Sequence, residues 1–195
     1  MELIFKFPFE ERLELRLGNG GIRPLEHGDE LPLMQIALKE PELFRYTLHS
    51  MKTSEEIKAY FQLAHSSRLK HQEYPFVILH PETAQIIGTT RFYLIQPNQA
   101  SLAIGYTWMA SAHHGTGLNR RIKQLMLEFV FDSLQFQRVE FRTDAENLRS
   151  IRALEGIGAV PEGELRNHVF RPDGTRRNTR ILSILKEEYP GNLNE

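Results

Sequence analysis

The strongest folding signal in this chain is a single apolar stripe near its middle. Leu118, Ile122, Leu125, Met126, Phe129, Val130 and Ser133 fall at i, i+4, i+7, i+8, i+11, i+12 and i+15, the spacing of one helix face. Residues 102–108 ahead of it and 139–142 after it read as strands. A helix with one greasy side must lay that side on something, and strands flanking it in sequence supply a sheet.

The remaining segments follow the same alternation. Residues 12–17 alternate strictly and read as a half-buried strand, broken by Gly18-Asn19-Gly20-Gly21. A weakly patterned helix is expected near 29–38. A better one follows Thr53, where Thr53 and Glu56 have capping-box spacing and Ile57, Tyr60, Phe61 and Ala64 share a face. Residues 76–79 and 85–93 flank a His80-Pro81-Glu82-Thr83 turn and read as a hairpin. After 139–142, a helix from Asn147 to Glu155 is expected to end at Gly156 or Gly158. Residues 165–170 and 175–185 form a closing hairpin around Pro172-Asp173-Gly174, where Pro fixes φ and Gly tolerates φ > 0. Helices in the middle and hairpins at both ends predict an α/β fold: one mixed sheet of about seven strands with helices on both faces.

Composition narrows the chemistry. A length of 195 residues fits a single domain over 1–195, and a 41% apolar share supports a core without staples. The chain has no cysteine, which removes disulfides, thiolate zinc sites and cysteine nucleophiles. A net charge of −1 lacks the basic excess that a phosphate backbone attracts, so no nucleic-acid partner is expected. Apolar runs are only a few residues long and the N-terminus has no basic leader. No membrane partner or secretory signal is therefore expected, and the setting expected is cytoplasmic.

The chemistry concentrates in Ala112-His113-His114-Gly115-Thr116-Gly117-Leu118-Asn119, between a strand and the striped helix. Glycines there let the backbone turn sharply, and the first N–H groups of a helix have no internal partner. With the macrodipole added, such a turn suits an anion such as a pyrophosphate. There is no Gly-x-x-x-x-Gly-Lys-Ser/Thr, and position 120 is Arg, so neither the P-loop nor Gly-x-Gly-x-x-Gly is satisfied. On its own the pattern is equally a tight strand–helix turn.

The neighbouring motifs add to it. Gly105-Tyr106-Thr107-Trp108, His114-Gly115-Thr116-Gly117-Leu118-Asn119, Arg142-Thr143-Asp144-Ala145-Glu146-Asn147 and the Pro172-Asp173-Gly174 hairpin occur in that order. Together they resemble the GNAT superfamily of acetyl-CoA-dependent N-acetyltransferases, in its ribosomal-protein N-terminal acetyltransferase (Rim-type) branch. The resemblance is best from Phe76 to Leu185. It implies acetyl-CoA as co-substrate, no metal, and an amine acceptor that is a protein N-terminus or a small molecule. It implies that Gly115, Thr116, Gly117, Leu118 and Asn119 hold the pyrophosphate through backbone N–H groups, with His114 also at the cofactor. The pantetheine arm would lie where the strands 102–108 and 138–143 part, paired to unpaired strand backbone, with Trp108 and Asn147 beside it. Ser150 would sit near the thiol and donate a proton or hydrogen bond to the leaving sulfur. Tyr106 would line the acceptor slot.

Three departures from the family pattern stand out. Ala112 replaces the usual Gln or Arg, Leu154 stands where many relatives carry a tyrosine acid, and Ala103 where close relatives carry Glu. With the tyrosine and the glutamate missing, a non-catalytic acetyl-CoA-binding module is the alternative. Glu140, His113 and His114 are the candidate bases for an attacking amine. Plainer readings stand beside these roles. Asn147 is also a good N-cap, Ser150 can be merely solvated, and Tyr106 and Trp108 can be core. Arg120, Arg121 and Lys123 read as a solvated helix face or as phosphate partners. Arg176-Arg177 reads as surface charge or as a lip for an acidic substrate. His113 and His114 lack a third ligand for zinc. A homodimer is compatible with the chain.

Overall fold

The computed structural model describes residues 5–189, so the start of the N-terminal reading lies outside the described residues. The strands are β1 (Leu15–Leu17), β2 (Gly20–Pro24), β3 (Tyr74–Leu79), β4 (Ile86–Gln96), β5 (Ser101–Met109), β6 (Arg138–Asp144), β7 (Val160–Phe170) and β8 (Arg176–Leu185). The helices are α1 (Glu30–Lys39), α2 (Ser54–Leu69), α3 (Leu118–Glu128) and α4 (Leu148–Glu155). All eight strands join one sheet in the order β1-β2-β3-β4-β5-β6-β8-β7. Every neighbouring pair is antiparallel except β5 and β6.

The strand that pattern reading missed is β2, which begins at the glycines taken for a break. Those glycines are needed inside the sheet. A Cβ on Gly20 would lie 2.3 Å from the His80 carbonyl oxygen, and one on Gly21 would lie 2.1 Å from that of Leu15. The striped helix is also modified. After Glu128 it passes into one π-helical turn, Phe129–Ser133, whose wider turn buries Val130 and Phe131 and turns Ser133 outward.

Two cores lie on opposite faces of the sheet. Leu118, Ile122, Met126 and Leu127 of α3 and Leu154 of α4 pack with Phe76, Phe92, Leu102, Ile104 and Phe141. Leu33 and Ala37 of α1 and Ile57, Phe61 and Ala64 of α2 pack with Val77 and Trp108. The capping box that starts α2 is formed, with Glu56 N–H donating to Thr53 Oγ1 at 3.2 Å and Thr53 N–H to Glu56 Oε2 at 3.1 Å.

β5 changes sides along its length. Leu102 and Ile104 belong to the α3 core, whereas Trp108 belongs to the α1/α2 core and Tyr106 packs against that core. A strictly alternating strand would put all four on one face. The register against β4 slips between Thr89 and Arg91, and Tyr106 sits at φ 53°. This bulge reverses the faces from that point on. The β5–β6 ladder is equally local: Ser101 opposes Arg138, Leu102 opposes Val139, Ala103 opposes Glu140, and the pairing stops. Beyond it the two strands part, as the resemblance implies.

Candidate active site

The cavity between the parted strands has a volume of about 1130 Å³, and its wall includes Gly105–Met109 of β5 and Phe141–Asp144 of β6. The β5 backbone beyond Ala103 has no strand partner on the β6 side. Such a row of free N–H and C=O groups can pair with an extended amide chain. Gly105 is required in this stretch, because a Cβ there would lie 2.7 Å from the Tyr93 ring.

The glycine turn lies at one end of the cavity. Gly115 and Gly117 both have positive φ, 74° and 80°. Gly117 is the N-cap residue of α3 and offers no side chain to cap it. The Thr116 hydroxyl donates to the His113 carbonyl at 2.9 Å, and Leu118 N–H reaches Thr116 Oγ1 at 3.4 Å. Apart from that long contact at Leu118, the first turn of α3 presents its N–H groups and the positive end of its dipole with no cap from the Gly117 position. His114 braces this turn. Arg149 Nη1 donates to its Nδ1 at 3.1 Å, which leaves the proton on Nε2, 3.0 Å from the Met109 carbonyl.

Of the residues named from sequence, Tyr106, Trp108, His114, Gly115, Gly117, Asn119, Asn147 and Ser150 line this one cavity. Thr116 and Leu118 belong to the same turn without lining it. Asn147 caps α4 through Oδ1, which accepts from Ser150 N–H at 3.1 Å. Its amide nitrogen is left for another partner, so its structural and functional readings are compatible. The Ser150 hydroxyl has no partner among the described residues. Glu140 is not brought to the cavity. It lies in the paired part of β6, opposite Ala103, with its carboxylate held by Arg142 Nε at 2.6 Å and Arg138 Nη2 at 3.1 Å.

The α1/α2 side of the cavity carries groups that pattern reading passed over. Arg91, 2% exposed, donates to Glu73 at 2.8 Å. Its guanidinium lies between the rings of Tyr60 and Tyr106, 4.5 and 4.4 Å from their centroids. Burial and the nearby Glu73 push the Tyr106 hydroxyl up to about 12, so it stays protonated. Burial, with Arg91 adding to it, lowers the His49 imidazole below its ordinary value and favours its neutral form. The only signal for this cluster was a charge, Arg91, inside an otherwise uncharged strand. Lys123, expected on a solvated helix face or at the phosphates, and Arg177, expected as surface charge or as a lip for an acidic substrate, are both buried and line the cavity. The Lys123 amine donates to the Thr107 and Thr90 hydroxyls, and burial brings it down to about 7.

The wall also fits an amide-bearing ligand with a polyanionic head. Trp108 Nε1 and Asn119 Oδ1 are buried and have no hydrogen-bond partner among the described residues, and Arg120 and Arg149 stand beside the glycine turn. The parted parallel strands, the glycine-turned helix start and the cavity that joins them define an acyltransferase type of site.

Residues 21–160 match the family model of the acetyltransferase (GNAT) domain, and the chain belongs to that family. It is an acetyl-CoA-dependent acyltransferase. An uncharacterized N-acetyltransferase of Bacillus licheniformis, p20, is 28% identical over 87% of this chain and 94% of its own. A crystal structure from T. thermophilus, assigned to the acetyltransferases, is 31% identical with TM-score 0.77, covering 96% of this chain and 94% of that one. A Vibrio cholerae spermidine N-acetyltransferase, solved with CoA and spermine, shares the fold at 21% identity and TM-score 0.73, covering 87% and 97% of the two chains. No helix among the described residues is long and apolar enough to cross a membrane.

Proposed function

We propose that this protein transfers the acetyl group of acetyl-CoA to a primary amine by direct attack in a ternary complex. The acceptor is a small-molecule amine or, as in the ribosomal-protein branch, a protein N-terminal α-amine. The observation that carries this reading is the opening of β5 from β6 immediately beside the uncapped start of α3, within one cavity.

Bound acetyl-CoA supplies a thioester carbonyl, and the protein's residues hold and flank it. Backbone N–H groups from Gly115 to Asn119 face the pyrophosphate, and His114 braces that turn. The free edge of β5 pairs with the pantetheine amides, with Trp108 and Asn147 beside the arm. Ser150 donates its hydroxyl proton toward the departing sulfur. Tyr106, held protonated, lines the acceptor side. The attacking ammonium must first lose a proton. Glu140 is engaged by two arginines away from the cavity, whereas His49 lies on the acceptor wall in a form able to accept one. Holding both reactants in one cleft supplies much of the acceleration.

The test is release of free CoA thiol from acetyl-CoA across a panel of amines and short peptides. Release that depends on one acceptor class supports the reading. Cofactor binding without release on any acceptor refutes it in favour of a non-catalytic module.

A further inference from the structure

Arg176 and Arg177 are adjacent in β8 but face different surroundings. Arg176 lies over the exposed Phe170 ring, 4.5 Å from its centroid. Arg177 turns inward, is 6% exposed and forms part of the cavity wall. Its Nε donates to Thr179 Oγ1 at 3.1 Å and its Nη1 to the Tyr46 carbonyl at 3.2 Å. Among the described residues, both Nη2 hydrogens and the second on Nη1 have no acceptor, and no carboxylate forms an ion pair with it.

An arginine stays charged when buried, and an unpaired buried charge is costly. Burial lowers this guanidinium's pKa, Asp144 opposes that effect, and Arg171 adds to it. Asp144 is already committed elsewhere: Arg171 Nε and Nη2 hold its two oxygens at 2.9 and 3.1 Å. Glu73, the other carboxylate on the cavity wall, is committed to Arg91. The wall therefore holds a cation with free donors and has no spare carboxylate.

Its position separates Arg177 from the phosphate end. Tyr46 belongs to the connection between α1 and α2, whereas the glycine turn starts α3 on the other face of the sheet. We infer that Arg177 binds a carboxylate carried by the amine acceptor, so that the substrate class is amino-acid-like or acidic-peptide-like rather than a polyamine. This rests on the cleft being the site of acetyl transfer. The planar fork of a guanidinium matches a carboxylate through two parallel hydrogen bonds, and the donors left free are of that kind. A polyamine would meet unpaired positive charge on a wall whose acids are already neutralised.

The experiment compares kcat/KM for matched acceptors in the wild-type protein, Arg177→Lys and Arg177→Gln. Free amino acids and ω-amino acids of increasing length are set against their carboxamides, peptides with Glu against Gln at the second position, and spermidine against both. The wild type is expected to favour the carboxylate member of a pair by roughly tenfold or more. The free and peptide arms show which source carries the carboxylate. Arg177→Gln should erase the preference with KM for acetyl-CoA unchanged, and Arg177→Lys should keep part of it, with melting curves checking that both fold. A wild type indifferent to the carboxylate, a preference for spermidine, or a raised KM for acetyl-CoA in Arg177→Gln overturns the inference. If no amine releases thiol, the transfer reading fails instead. The carboxylate site is then read by calorimetry with an N-acetyl amino acid, whose binding must weaken about tenfold in Arg177→Gln. Absence of such binding to the wild type also overturns it.

Discussion

Replacing Lys123 by Met tests whether a charge-bearing side chain is truly enclosed beneath β5. Burial holds its amine near 7 against an ordinary 10.5, so the folded protein binds that proton less readily than the unfolded chain does. Unfolding then takes up a proton between those two values, and stability from this group rises with pH through that window. At pH 6 the penalty for keeping the lysine folded is nearly complete, about 5 kcal/mol at roughly 1.36 kcal/mol per pH unit. At pH 9 the same relation leaves about 2 kcal/mol. Met keeps the unbranched shape, and the two hydroxyls left behind already bond each other at 2.8 Å. The loss of the lysine's own hydrogen bonds lowers the variant's advantage at both pH values and cancels in their difference. Urea unfolding of both proteins at pH 6 and pH 9 should therefore show Lys123→Met ahead at pH 6, with its lead shrinking by about 2–3 kcal/mol by pH 9. Parallel stability profiles for the two proteins would refute the enclosure of this amine.

The site makes further predictions. Gly117→Asp places a carboxylate at the uncapped start of α3 on a residue held at φ 80°; calorimetry should show CoA binding weakened tenfold or more, about 1.4 kcal/mol. Ser150→Ala should lower kcat while leaving the Kd for CoA almost unchanged, and unaltered turnover would remove its role at the sulfur. Glu73→Gln removes the carboxylate facing Arg91, whose Nη2 is already unpaired. Thermal unfolding should register a loss of about 3–5 kcal/mol.

Local features of this fold were readable because their causes are local. The Thr53/Glu56 box, the Pro172-Asp173-Gly174 turn and the stripe of α3 each depend on residues a few positions apart, and each lies near its expected place. The glycine turn was legible for the same reason. What escaped depends on distant neighbours. Gly20 and Gly21 read as a break because nothing in the sequence reveals how closely His80 and Leu15 approach. Lys123 sits beside two arginines that are solvated, and only the closure of α3 over Thr107 makes it different. Arg177 looked like its exposed neighbour Arg176 until β8 took its register. Glu140 alternates properly along its strand, yet the arginines flanking it in sequence claim its carboxylate. The change of faces along β5 was equally hidden, because a bulge at Tyr106 leaves the apolar pattern intact.

The short β5–β6 ladder has a mechanical consequence. With only three residue pairs across it, the sheet is two panels joined along a seam: β1 to β5 on one side, β6 to β8 on the other. A ligand whose amides pair with β5 closes part of that seam, so occupancy and rigidity rise together. Amide hydrogens of residues 104–109 that face the gap should exchange with solvent quickly in the free protein and slow sharply when CoA is bound, while those inside the antiparallel panels change little.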